Sequence, residues 1–280
     1  MDERRRPCSN EQLDRYLQRV AVTGPVAANE ATLIALHQAH LRAIPFENLE
    51  IHLGQPMRIE PDALFEDLVD RQRGGYCFQM NELLALALLA IGFEVERFAA
   101  RVWLRNPSPM PPRSHQVLRV RSSNDRHWLC DVGFGGGSPL MPLPFEMQRV
   151  EEQPLASYRM HHHEDYGVVL QMRGPEPNAE QWSDMISFSL EDQWPADFRY
   201  SNHSISTMPE SRFVMHRIAS RAEPKLRQSL FDGTYRETRP TGVTERLLDA
   251  AEEERVLRET FGLDLPTPLV WQSRGVKKIV

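Results

Sequence analysis

From Leu83 to Ile91 the chain reads LLALALLAI, an unbroken apolar run that at helical spacing covers every face. Extended back to Cys77, the segment predicts a helix buried on all sides, closed by Gly92, the residue that most readily takes a left-handed cap. Such a helix must lie at the centre of a domain with other elements packed around it. The run is about half the length of a bilayer span, so it is not read as a membrane helix. At its first turn, directly after Arg73, Gly74, Gly75 and Tyr76, stands Cys77. Unpaired backbone N–H groups and the helix dipole favour an anion there and bias the thiol toward thiolate. A free cysteine is most often just a small buried hydrophobe, so the position needs a second observation.

The segments before the central helix are helical too. Residues 11–22 place Leu13, Tyr16, Leu17 and Val20 on one face, and residues 30–42 do the same with Leu33, Leu36 and His37. A third helix begins near Pro61, with Leu64, Phe65, Leu68 and Val69 at helical intervals and the pair Gly74 and Gly75 as its stop. Beyond Gly92 the pattern changes to short alternating runs at 95–104, 116–121, 128–132 and 168–172, an antiparallel sheet or barrel. Asn106 to Arg113, with four prolines, reads as an exposed loop within it. The last part mixes short strands with one helical pattern, Val243 to Phe261. The expected class is α+β, with helices over 1–92, a small antiparallel sheet or barrel over 93–205 and a third, smaller unit over 206–280.

His115 and Asp131 flank an expected hairpin whose turn is Ser122 to Asp125, and their midpoint falls on Ser123. Opposite residues of antiparallel strands lie about 5 Å apart on one face, and a turn centred one residue later makes the two diagonal neighbours on that same face. A slip of half that amount separates them. Asp131 stands among Leu129, Cys130 and Val132, which implies burial and hence a partner. With Cys77 at the other ring nitrogen, the carboxylate fixes the tautomer, the imidazole takes the thiol proton, and sulfur attacks a carbonyl.

Other features carry less. Gly133, Gly135, Gly136 and Gly137 let backbone approach a ligand or turn a barrel corner, but no Lys-Ser/Thr follows as in a phosphate-binding loop. His161, His162 and His163 read as exposed loop histidines, because neighbours on a strand alternate faces and cannot share an ion. Three cysteines, Cys8, Cys77 and Cys130, favour neither a disulfide framework nor a zinc site. The net charge of −6 makes nucleic acid an unlikely partner. Residues 1–10 are charged and lack the apolar core of a secretory leader, so the cytoplasm is expected.

Several segments resemble the arylamine N-acetyltransferases: IPFENL at 44–49, RGGYCFQMN at 73–81, the stretch 114–120 with His115, WLCDVGFGG at 128–136, Asn202, STMPESRF at 206–213 and FGLDL at 261–265. The resemblance runs along nearly the whole chain. It implies a helical bundle, a barrel-like sheet and an α/β lid in the papain-like cysteine-enzyme fold. It also implies a Cys77, His115, Asp131 triad and a ping-pong reaction in which Cys77 takes acetyl from acetyl-CoA and passes it to an arylamine, arylhydrazine or N-hydroxyarylamine, as in xenobiotic metabolism. By position it puts the acceptor pocket at Phe46, Val102 and Phe134, and the CoA channel at Ser114 in the loop before His115 and at Gly135 and Gly136. Arg73 and Glu47 match a structural buried ion pair, and Gln79 and Met80 stand where many bacterial members carry Glu and Gln. No metal, nucleic acid or membrane partner is implied, and the chain is expected to be a monomer or homodimer. A cysteine hydrolase or transglutaminase shares the triad but not Pro45 to Leu49 or Gly133 to Gly136; an amide synthase closing a polyketide chain shares the fold. A catalytically silent binding protein needs no complete triad.

Overall fold

The computed structural model describes residues 2–104, 110–174 and 181–272. Helix α1 (Asn10–Arg19) opens on a capping box between Ser9 and Gln12, and α2 (Glu30–Ala43) on Asn29, whose side chain accepts from the Thr32 N–H. Next come a two-residue strand, β1 (Phe46–Glu47), and a single turn, α3 (Leu49–His52). Helix α4 (Pro61–Leu64) widens into a π-helical turn over Phe65–Asp70, ending just before Gln72, whose φ is +50°. The third helix therefore stops ahead of the glycine pair. Helix α5 (Cys77–Ile91) is buried at every position from Cys77 to Leu88, Gln79, Asn81 and Glu82 included, and ends on Gly92 at φ +105°. Buried polar groups in an apolar helix require partners, and these three find them in the surrounding elements.

Strands β2 (Glu94–Val102), β3 (Arg113–Arg121), β4 (His127–Cys130), β5 (Leu143–Pro144), β6 (Glu151–Gln153), β7 (Ala156–His163), β8 (Gly167–Arg173) and β9 (Ser183–Phe188) form one antiparallel sheet in the order β5-β4-β3-β2-β9-β8-β7-β6. A bridge from Met147 to Met160 brings the segment after β5 back to β7, so the sheet curls into a nearly closed barrel. Inside it Phe98 stacks on Phe188 with ring centroids 5.5 Å apart. The three histidines lie on β7, not in a loop: His161 to His163 pair with Val169 to Gly167 across the ladder, and alternation keeps them from converging. Of the expected proline-rich loop, residues 105–109 lie outside the described residues.

Helix α6 (Pro195–Thr207) runs across the division expected between 205 and 206. After α7 (Arg212–Met215), strands β10 (Ile218–Glu223), β11 (Leu226–Phe231), β12 (Thr234–Arg239) and β13 (Gly242–Leu247) make a second sheet, ordered β1-β10-β11-β12-β13. The helix expected from Val243 is thus a strand at its start. A tight turn at Pro240 and Thr241 folds the segment onto β12, pairing Thr238 with Val243, and α8 (Ala250–Arg255) begins only after the Asp249 cap. Val243, Leu247 and Leu248 imitate helical spacing, but the hairpin decides. No helix among the described residues is long and apolar enough to cross a membrane.

Candidate active site

Cys77 owes its position to the glycines before it. Gly75 accepts from the Glu47 N–H (2.9 Å) and donates to Pro45 O (3.2 Å), and the Gly74 N–H donates to the Glu47 carboxylate (3.2 Å). The same carboxylate pairs with buried Arg73 at 3.3 Å, and Glu50 is the guanidinium's second acidic partner. The segments 44–49 and 73–77 are therefore fastened to each other by an ion pair and a strand-like bridge. Tyr76 hydrogen-bonds the side chain of Asn202, whose amide donates to Met57 O (2.8 Å), and Phe213 packs edge-on against Tyr76 at 5.3 Å. The chain enters α5 fully clamped, with the Cys77 side chain at the first turn.

His115 and Asp131 meet one step away from the expected register. The turn closes between Ser122 and Arg126 with Asp125 at φ +62°, and Leu118 pairs with Cys130. Continued by one residue, this ladder sets Asp131 opposite Val117, diagonal to His115 on the same face. His115 Nε2 lies 2.7 Å from Asp131 Oδ2, which leaves Nδ1 for the thiol. The other carboxylate oxygen accepts from Asn81 Nδ2 and from the Gly133 N–H, both at 3.0 Å. Asn81 also donates to Gln116 O (2.6 Å) and accepts from the Val132 N–H (3.0 Å). Sequence reasoning assigned this residue no role. Its signal in the sequence is a polar side chain one turn after the cysteine, in a helix whose other polar residues are Gln79 and Glu82.

Cys77, His115 and Asp131 are all buried, at 2%, 3% and 1% exposure. Burial alone pushes the His115 pKa down. The Asp131 carboxylate outweighs it by charge and hydrogen bond, Cys77 adds to this, and the imidazole is raised to about 10. Near neutrality the ring is thus poised to hold a proton beside the sulfur. Burial pushes the Cys8 thiol up to about 11, and that of Cys130 higher still, so both stay protonated near neutrality.

The cysteine and histidine open on a cavity of about 510 Å3. Its walls bring together every residue expected to touch substrate: Phe46, Val102 and Phe134 on one hand, and Ser114, Gly135 and Gly136 on the other. Leu104, Met172, Phe213 and Ile218 join them. A Cβ on Gly133 would lie 2.6 Å from Cys77 Cα and 2.8 Å from Asn81 Nδ2, so only glycine lets this loop close on the start of α5. Gly136 faces open space, and the Phe134 ring stands edge-on to His115 at 5.5 Å. A larger cavity, about 610 Å3, runs along the Phe78, Glu82 and Leu86 face of α5 and includes none of the three groups. Size does not locate the chemistry here; the convergence of thiol, imidazole and carboxylate does. Among the described residues no group of three His, Cys, Asp or Glu is placed to hold a metal ion.

Comparison with known proteins agrees along most of the chain. A family model for N-acetyltransferase matches residues 30–270. The arylamine N-acetyltransferase of Mycolicibacterium smegmatis is 36% identical over 90% of this chain and 92% of its own. An arylamine N-acetyltransferase / N-hydroxyarylamine O-acetyltransferase of Salmonella typhimurium is 38% identical over 69% of this chain and 66% of its own. The solved structure of the Mycobacterium marinum arylamine N-acetyltransferase in complex with CoA superposes with a TM-score of 0.84 at 34% identity, over 90% of this chain and 92% of that one. A fold, a set of motifs and a sequence likeness of this extent have one explanation: the chain belongs to the arylamine N-acetyltransferase family.

Proposed function

We propose that this protein transfers the acetyl group of acetyl-CoA to arylamines, arylhydrazines and N-hydroxyarylamines by a ping-pong reaction through an acetyl thioester on Cys77. The observation that carries the reading is the meeting of Cys77, His115 and Asp131, the first two of which open on a cavity walled in part by glycine backbone. His115 Nδ1 takes the thiol proton, and the sulfur attacks the acetyl carbonyl. The bond from Cys77 to the acetyl carbon forms as the bond to the CoA sulfur breaks, and the imidazolium returns its proton to the departing CoA thiolate. In the second half, an amine attacks the thioester, its proton passes to His115, and Cys77 leaves as thiolate. Asp131 holds the ring in place throughout.

The cavity suits both partners. Glycines 135 and 136 let the donor's acyl end approach without side-chain obstruction, and Phe46, Val102 and Phe134 offer apolar surface to an aromatic ring. An arylamine is weakly basic, so it reaches the thioester neutral and nucleophilic at pH 7. In this reading residues 1–92 deliver the nucleophile, 93–205 its acid–base partners and 206–280 the cover, in a cytoplasmic enzyme acting as monomer or homodimer. The test is direct. Protein incubated with acetyl-CoA alone should carry one acetyl group on Cys77 by peptide mass spectrometry, and adding 4-aminobenzoate or a hydrazine should discharge it. Cys77→Ala should release no CoA above background; turnover equal to wild type, or acetyl found only on Cys8 or Cys130, ends the proposal.

A further inference from the structure

The glycine wall facing Cys77 is held from behind by one side chain of the second sheet. Arg227 on β11 is 9% exposed. Its Nη1 donates to Gly136 O at 2.8 Å, and its Nη2 donates to Ser138 O at 2.7 Å and to the Tyr158 hydroxyl at 2.8 Å. Tyr158, fully buried on β7, in turn donates to Gly137 O at 3.2 Å. The loop also closes on itself: the Phe134 N–H donates to the buried Ser138 hydroxyl (3.0 Å), and the Ser138 N–H to Gly135 O (3.1 Å), with Gly135 at φ +75°. The carbonyls of residues 136, 137 and 138 are thus all gathered on the Arg227 and Tyr158 side. A run of three glycines has no side chains to fix its own shape and more accessible conformations than any other sequence. Something else must choose among them.

We infer that Arg227 is a positioning residue that sets the glycine wall of the cavity by clasping its carbonyls from the second sheet. The inference rests on the acetyl-transfer reading of the same cavity. A guanidinium presents its donors in a rigid planar fork, so two carbonyls and a phenol can be held in fixed relation at once. A lysine keeps the charge but offers a point donor that cannot span them. Removing the fork leaves buried carbonyls without their donor and the loop free to relax. Cys77, His115 and Asp131 are untouched, because Asn81 and the Gly133 N–H hold the carboxylate instead. The expected defect is therefore one of ligand binding and not of proton transfer.

Arg227→Lys and Arg227→Gln should each raise KM for acetyl-CoA about tenfold, with kcat within about threefold of wild type, the pattern for lost uniform binding. The rate of Cys77 alkylation by iodoacetamide should stay within about twofold, since it reads the thiol and its histidine alone. Arg236→Gln, an exposed arginine of neighbouring β12 paired with Glu245, should change neither quantity. Tyr158→Phe combined with Arg227→Gln should cost less than the product of the two single effects, because both groups act on one loop. A KM unchanged in both Arg227 variants overturns the inference, and so does an alkylation rate that falls in step with turnover, or failure of both variants to fold at 25 °C by circular dichroism. If wild type itself transfers no acetyl group while its thiol alkylates normally, the acetyl-transfer reading fails instead.

Discussion

Asn81 and Glu82 are consecutive on α5, about 100° apart around it, and both reach Gln116 of the barrel, Asn81 bonding its backbone carbonyl and Glu82 its side-chain amide. Both lead to a buried carboxylate. Glu82 is gripped by Arg97 through two bonds of 2.7 and 2.8 Å and by Gln116 at 2.9 Å, and Arg97 reaches on to Arg4 O at 2.6 Å. Burial alone would raise the Glu82 pKa, but the charge and hydrogen bonds of Arg97, with Gln116, hold it below its ordinary value. Neither partner of this pair changes protonation near neutral pH. Asp131, held by Asn81, faces a histidine. Both pairs are buried; what differs is whether the partner can give up a proton. A permanent cation makes a clamp and a titratable one makes a base, which is why the first pair is structural and the second is the proposed catalytic one.

Substitutions separate the two. Asp131→Asn keeps the shape of the site but removes the charge that raises His115, and kcat/KM should fall about a thousandfold in a CoA-release assay. The same variant should change the pH dependence of stability. Because the folded-state pKa of His115, about 10, exceeds its ordinary 6.5, the charged ring stabilises the fold fully below about pH 6.5, and this is lost as pH rises toward 10. Thermal melts of wild type should show that decline, and Asp131→Asn should flatten it; parallel curves would refute the role given to the carboxylate. Glu82→Gln should do the reverse of Asp131→Asn. It strands a buried guanidinium and should cost about 3 kcal/mol in urea unfolding while kcat/KM of the folded enzyme stays within about threefold. Equal loss of activity would erase the distinction. Asn81→Ala should fall between, losing roughly 2 kcal/mol of transition-state stabilisation, about thirtyfold in kcat/KM, as Asp131 loses one charged hydrogen bond.

The parts of this arrangement legible in the sequence are those set by local pattern. The all-apolar run 83–91 announces a central helix, and Leu129 to Val132 around Asp131 announce a buried carboxylate. The hairpin parity that joins His115 to Asp131 survives a one-residue shift in the turn, because a diagonal neighbour shares the face of an opposite one. Position alone, read through the family resemblance, gathers Phe46, Val102, Phe134, Ser114, Gly135 and Gly136 to one cavity. What the chain does not announce are contacts between distant segments. The role of Asn81 depends on where 116 and 132 come to lie, and that of Arg227 on a sheet whose last strand imitates a helix. Tertiary pairing overrides local spacing at 242–247 because the turn at Pro240 and Thr241 brings the chain back onto β12 before a helix can propagate.

The two residues of β1 have a consequence for the order in which the molecule is built. Phe46 and Glu47 sit between Gly75 on one side and Ser220 and Ala219 on the other. A ribosome releases the first two of these segments early and the third only after more than half the polypeptide has followed. Until then the nascent chain carries its cysteine, histidine and aspartate with one flank of the cavity open to water, since Phe213 and Ile218 have yet to arrive. The wall of the cavity that holds Phe213 and Ile218 is therefore complete only when the last sheet has joined a strand laid down near the beginning.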